Sequence, residues 1–281
     1  MMWSSRKCCR SVLFVLFMLA QTGHAAEPAP ALRVGIVPYL SPNVLMSLFA
    51  PVREHLQREL RRPVELYTAP DVRSFVKKTL SPDYDVLISS AHLSRLAQTR
   101  GGYLPEVQFS DDLYGVIFVA KQSAIRDVAD LRDKKLAVTD RTILVNIAVL
   151  NALSQININE SKLRLRPNIN QNTALLSIAQ GDNDAAIAAH FAPDQMPEQQ
   201  RGELREIFRT KALPNVIVST SPKLPVMDRT AISNAMLTLA DSTEGKNFLK
   251  NSRYGGVKKI DVASMKELDI YLPETLRQLG Q

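Results

Sequence analysis

Residues 32–60 read LRVGIVPYLSPNVLMSLFAPVREHLQREL, and this stretch sets the fold class. Its opening, LRVGIVPYL (32–40), is an apolar run of strand length stopped by Pro38, which lacks the N–H a ladder needs. Residues 44–60 then place apolar side chains at helical spacing. The strand-then-helix unit recurs downstream. VELYTA (64–69) predicts a strand, and Asp71 the N-cap of a helix through Leu80. YDVLISSA (84–91) predicts a strand running into a helix from about Ala91 to Gln98. YLPEVQF (103–109) and YGVIFVAK (114–121) predict two more strands.

A second series follows. VADLRD (128–133) predicts a short helix, KLAVTD (135–140) a strand, 142–155 a helix and LRLRP (163–167) a strand. A helix over 172–180 closes at Gly181, and DAAIAAH (184–190) is another strand. Residues 193–203 read as polar loop, 207–222 as extended, and the last sixty residues as helices near 228–241, 244–251 and 264–277. Strands alternating with helices imply an α/β fold with parallel sheets built from βαβ units. The two series predict two α/β lobes joined by two crossing strands, YGVIFVAK and ALPNVIVST (212–220). Lobe one then comprises 31–115 with 216–281, and lobe two 116–215.

The first 25 residues carry an address. Arg6, Lys7 and Arg10 precede the apolar run SVLFVLFMLA (11–20), and Gly23 and Ala25 supply small residues before a cut after Ala25. That three-part plan predicts a cleavable signal peptide, 1–25, and a periplasmic mature protein. The apolar run is too short for a bilayer core, which needs about 20 residues. Cleavage removes Cys8 and Cys9, so the mature chain has no thiol for a disulfide, metal or nucleophile. It also takes three of the 35 basic residues and none of the 28 acidic ones, reducing the net charge from +7 to +4. The remaining charges are dispersed, without the concentrated basic patch of a nucleic-acid protein.

In open α/β sheets, ligands lie beyond the carboxyl ends of the strands, at helix N-termini whose free N–H groups suit anions. Tyr39 and Ser41 follow the first predicted strand, and Ser89, Ser90 and His92 the third. Thr139, Asp140, Arg141 and Thr142 follow KLAVTD, and Gln171 and Asn172 begin the helix after LRLRP. Catalytic patterns are missing: no G-x-S-x-G surrounds a serine, and His55, His92 and His190 lack metal-ligand spacing. No cofactor or metal site is predicted.

Taken in order, LRVGIVPYL, VELYTAPD, YDVLISSAHLSRLA, DLRDKKLAVTD and TALLSIAQGDNDAAIAA resemble the phosphate/phosphonate-type substrate-binding proteins of ABC transporters. These belong to the type II periplasmic binding protein superfamily. The resemblance implies two α/β lobes closing on a small solute for a membrane permease or, alternatively, as a sensory protein regulating a membrane sensor kinase or cyclase. A monomer without enzymatic activity is expected, a secreted enzyme on the same bilobal scaffold being the other alternative. The resemblance also implies a cleft of Tyr39, Ser89, Ser90, His92, Tyr114, Thr139, Thr142, Gln171 and Asn172, acting by hydrogen bonding and stacking. Two positions depart from the family. Its Ser-Thr-Ser-Gly turn reads Arg141-Thr142-Ile143-Leu144 here, and its His-Asp or His-Asn pair reads Gln171-Asn172. Both departures remove groups suited to an anionic head.

Overall fold

The structure is a computed structural model that describes residues 29–40, 42–81 and 83–281. The leader read at 1–25, and Ser41, lie outside the described residues. The chain opens with β1 (Leu32–Ile36), α1 (Pro42–Leu60), β2 (Val64–Tyr67), α2 (Val72–Leu80), β3 (Val86–Ser89), α3 (Ala91–Gly101) and β4 (Leu104–Phe109). Asp71 caps α2 as expected, its side chain accepting from Ser74 N at 2.7 Å. Gly102, at φ 71, ends α3 in the left-handed conformation that glycine adopts without strain. After β4 the chain crosses over and builds β5 (Gly115–Ala120), β6 (Lys135–Val138), α4 (Leu144–Gln155), β7 (Arg164–Pro167), α5 (Gln171–Ala179) and β8 (Ala185–Ala189). The short α6 (Glu198–Arg201) and β9 (Leu204–Arg209) complete that half. The chain then returns as β10 (Ile217–Thr220), α7 (Val226–Leu237), α8 (Thr243–Ser252), β11 (Val257–Lys259) and α9 (Leu272–Leu279). The short helix read at 128–133 and the start of the one read near 264–277 are 3-10 helices, at 128–131 and 262–271, and the segment read as loop from 193 begins with another, 192–195.

Among the described residues the strands form two sheets, ordered β11-β4-β10-β3-β1-β2 and β7-β6-β8-β5-β9. The expected parallel pairing holds for β1 with β2 and β3, and for β6 with β7 and β8. The other pairings are antiparallel, for a reason of connectivity. β4 leaves the first sheet where β10 re-enters it, and β5 enters the second where β9 leaves it, so each pair must run in opposite directions. The crossings themselves are residues 110–114 and 210–216, tied together by a bridge in which Leu113 and Leu213 exchange both backbone hydrogen bonds. β5 and β10, read from sequence as the crossing strands, lie within one sheet each.

Each sheet buries both faces, as the two-residue period of a strand requires. In β3, Val86 and Ile88 pack with Phe49, Phe109 and Phe248, while Leu87 faces Phe75, Leu96 and Tyr103 on the other side. In β5, Ile117 and Val119 face Val149 of α4, and Val116 and Phe118 face Leu175 of α5. A further cluster spans the two halves: Ala91 of α3, Leu144 and Ala148 of α4, Leu213, Ile217, Met265 and Leu268.

Gly115 marks where the chain enters the second sheet. Its N–H donates to Thr210 Oγ1 and its carbonyl accepts from Thr210 N, so both crossings meet there. A Cβ at this position would lie 2.8 Å from Val149 Cγ2 and 3.0 Å from the Val145 carbonyl oxygen. Gly115→Ala therefore pushes α4 off the sheet and is expected to cost about 1–3 kcal/mol. Urea unfolding should show a lower midpoint at unchanged slope.

Candidate functional site

Strand direction places the site. Ser89, the last residue of β3, lies opposite Ile217, the first of β10, and Ala189, the last of β8, lies opposite Gly115, the first of β5. The carboxyl ends of the parallel strands in both sheets thus stop at the level of the crossings. The loops that follow them face the same hinge region.

On the first-sheet side, Tyr39 follows β1 as a residue 43% exposed overall, its hydroxyl accepting from Tyr254 Oη at 2.8 Å. Loss of solvent raises the Tyr39 phenol to about 12, with the Tyr254 hydrogen bond opposing. Both phenols stay neutral at working pH. Ser90 holds the N-cap position of α3 without making a side-chain cap. Ser89 is buried and its Oγ has no partner. His92 is fully buried, and its Nε2 lies 3.0 Å from the Thr142 carbonyl oxygen of the second half. A carbonyl only accepts, so Nε2 carries the hydrogen and Nδ1, which has no partner, is a bare acceptor.

On the second-sheet side, Thr139–Thr142 form a self-contained turn. Asp140 Oδ1 accepts from Thr142 N at 2.8 Å and from Thr142 Oγ1 at 2.7 Å. Asn146, buried one turn into α4, donates from Nδ2 to the Asp140 carbonyl and to Thr139 Oγ1. The Arg141 side chain is partly exposed and engaged by carboxylates outside the turn. Its guanidinium is held by Glu160 and, at 3.3 Å, by Glu274 of α9, while Arg277 lies 3.7 Å from Glu160. Arg141 therefore ties the α9 end of the chain to the second half and is not a free cation for a solute.

Gln171 and Asn172 open α5, whose cap is Asn170, accepting from Thr173 N at 2.9 Å. Gln171 Oε1 accepts from Ala189 N at 2.7 Å, fastening the helix start to the end of β8. Asn172 Oδ1 is buried without a partner. Tyr114, on the crossing, packs edge-on against His190 with centroids 5.3 Å apart, and Arg209 lies 5.0 Å over its ring. Tyr114 N donates to His190 Nδ1 at 3.3 Å. Burial, then the nearby Arg209 charge, hold His190 below the usual histidine range.

The structure joins Tyr39 to Tyr254, His92 to Thr142, Thr139 to Asn146 and Gln171 to the end of β8. Among the described residues Ser89 Oγ and Asn172 Oδ1 have no partner, and Ser90 makes no side-chain cap. Tyr254 and Asn146 were not singled out from sequence. Asn146 had a signal, as a lone amide within the apolar run LVNIAVL. Tyr254 had none, because its role depends on the fold bringing it 215 residues back to Tyr39. Among the described residues no cluster of histidine, cysteine or carboxylate side chains could hold a metal ion, and no helix is long and apolar enough to cross a membrane. The arrangement gathers hydrogen-bonding side chains near the crossings, and among the described residues none of its hydroxyls is hydrogen-bonded to a histidine.

A model of the family described as the periplasmic substrate-binding protein of phosphonate ABC transporters matches residues 34–265. No curated protein matches the chain by sequence. Among solved structures, a Xanthomonas citri protein bound to chloride ion is similar with a TM-score of 0.76 at 16% identity, over 89% of this chain and 99% of that one. PhnD1 from Prochlorococcus marinus, in complex with methylphosphonate, gives 0.75 at 13% identity, over 89% and 98%. The alkanesulfonate-binding protein SsuA from Xanthomonas axonopodis pv. citri, bound to MOPS, gives 0.57 at 20% identity, over 92% and 96%. At such identities the likeness is one of fold.

Proposed function

The chain belongs to the phosphonate-type family of periplasmic substrate-binding proteins of ABC transporters, and from that premise we propose that its two halves close on a small oxyanion at the strand ends. The family match over residues 34–265 carries the reading. A member of this family is the solute-capturing component of a transporter, working with a membrane permease, and not an enzyme. The finer proposals concern this chain. Its leader, 1–25, is cleaved, and it works as a monomer. Residues 31–115 with 216–281 move against 116–215 about the paired crossings, a hinge closure. Tyr39, Ser89, Ser90, His92, Tyr114, Thr139, Thr142, Gln171 and Asn172 are proposed to line the closed cleft.

With Arg141 committed to Glu160 and Glu274, an anion here is held by backbone N–H groups at the starts of α3, α4 and α5, and by hydroxyls. Likeness to a methylphosphonate-bound and a MOPS-bound protein supports a tetrahedral phosphonate or sulfonate head. A thermal-shift series with methylphosphonate, inorganic phosphate, methanesulfonate, amino acids and small carboxylates tests this. A true solute at 100 times its Kd adds about 2.7 kcal/mol, which raises Tm by roughly 5–10 °C in a chain of this size. If only amino acids or carboxylates shift the transition, the oxyanion reading fails.

A further inference from the structure

Different helices cover the two faces of each sheet, which gives the junction between the halves two distinct sides. On the first sheet α3 and α9 pack on one face, and α1 and α8 on the other. On the second sheet α4 packs on one face and α5 on the other. Where α3 and α9 meet α4, the halves are joined in three ways. The buried His92 ring reaches from α3 to the Thr142 carbonyl oxygen at 3.0 Å. Met265 and Leu268, on the 3-10 helix 262–271, are each 1% exposed and pack with Ala91 of α3 and with Leu144 and Ala148 of α4. Leu272, Leu276 and Leu279 seat α9 on the first half, beside Phe75 and Leu96, and its charged side reaches the second half. There Glu274 lies 3.3 Å from Arg141, and Arg277 lies 3.7 Å from Glu160. Arg141 also holds Glu160 and Arg277 holds Glu274, so four alternating charges close a ring across the junction.

The opposite side, where the end of α8 meets the loop after β8, is sparsely joined. Among the described residues its one ion pair between the halves is Arg253 with Asp194, at 4.0 Å, with both side chains about half exposed. An isolated pair of that kind contributes little, whereas the His92 bond and the apolar cluster are shielded from water. We infer that the C-terminal segment, 262–279, is a strap that holds the α3–α4 side shut, so that the halves part on the α1–α5 side alone. The strap presupposes the movement of the halves proposed above, not the solute. It makes the paired crossings a one-sided hinge, and it confines entry and exit to the side where α1 and α5 begin.

Distances between pairs of spin labels read the two sides separately, because the chain from residue 26 has no cysteine of its own. Thr99→Cys with Ser154→Cys spans α3 to α4, and Ser47→Cys with Gln180→Cys spans α1 to α5; all four positions are exposed. Without solute, the first pair should give a narrow distribution and the second a broad one. Glu274→Gln with Arg277→Gln should raise the share of long α3–α4 distances at least roughly threefold, the scale of losing the exposed ion pairs. Adding Met265→Ala should raise it further, and a cooperative melt shows that each variant is folded. Equally broad distributions on both sides of the unaltered protein, or an α3–α4 share unchanged in the folded variants, overturn the strap while leaving the movement of the halves intact. Narrow distributions on both sides would mean that the halves do not move, which overturns that movement and the strap with it.

Discussion

Phe248→Ala is expected to remove about 3–5 kcal/mol of stability and to weaken solute binding in the same variant. Phe248 is 1% exposed and sits in an aromatic cluster, with ring centroids 5.1 Å from Phe49, 5.9 Å from Phe109 and 6.1 Å from Tyr254. Truncation leaves a cavity whose walls are the first sheet and α1, neither free to collapse into it. The functional effect follows from the next contact. Tyr254 stacks on Phe109 at 4.6 Å and donates its hydroxyl to Tyr39, so the cluster is the floor on which Tyr39 rests. Urea unfolding should read the stability loss, and calorimetric titration a weaker affinity for methylphosphonate. Tyr39→Phe separates the two. It deletes only the hydroxyl contact, and should lower affinity while costing about 1–2 kcal/mol of stability, well short of the loss in Phe248→Ala. An affinity loss in Phe248→Ala with none in Tyr39→Phe would show that the cluster acts through overall softening instead.

Much of the fold was legible because it depends on local pattern. Strand-length apolar runs followed by helical spacing appear in both series, and Asp71 and Gly181 stand at the ends where helices start and stop. Strand direction was less legible. Alternation of strand and helix suggests parallel pairing everywhere, yet β4, β5, β9 and β10 are linked by crossings between sheets, and only that topology sets their direction. β11 escaped notice because its sequence, Val257-Lys258-Lys259, is short and mostly polar; its pairing with β4 is what makes it a strand. In the site, residues after strand ends could be read from the alternation. Their commitments could not. Nothing local to Arg141 shows that Glu160 and Glu274 hold it, since Glu274 is 133 residues away. Likewise, His92 is unremarkable in AHLSRLA until its ring meets the Thr142 carbonyl.

That contact predicts an acid sensitivity belonging to one residue. Burial is the main cause that lowers His92 from 6.5 to about 4, and the Thr142 carbonyl opposes it only in part. The charged groups of the elements packed around α3 are occupied or exposed. Arg95 pairs with Asp269, Glu106 accepts from Thr220, and Glu274 holds Arg141 and Arg277. Arg73 donates to the carbonyls at the end of α9, while Lys77, Lys78, Arg100, Lys266 and Glu267 lie in solvent. None supplies a carboxylate to a charged imidazole. A histidine whose folded pKa is depressed binds fewer protons folded than unfolded, so stability rises with pH across the window. Its contribution is complete above about 6.5 and is lost as pH falls towards 4. At 1.36 kcal/mol per pKa unit the loss is about 3 kcal/mol. Carboxylates held below their usual range, such as Asp71 and Asp269, add their own losses at the acid end, so the total slope does not identify the residue. His92→Gln does. It keeps a donor for the Thr142 carbonyl and cannot take up a proton, so the difference in unfolding free energy between the two proteins should shift by about 3 kcal/mol in favour of the variant between pH 7 and pH 4. A difference that stays flat across that range would place His92 in water in the folded protein, with the Thr142 contact broken.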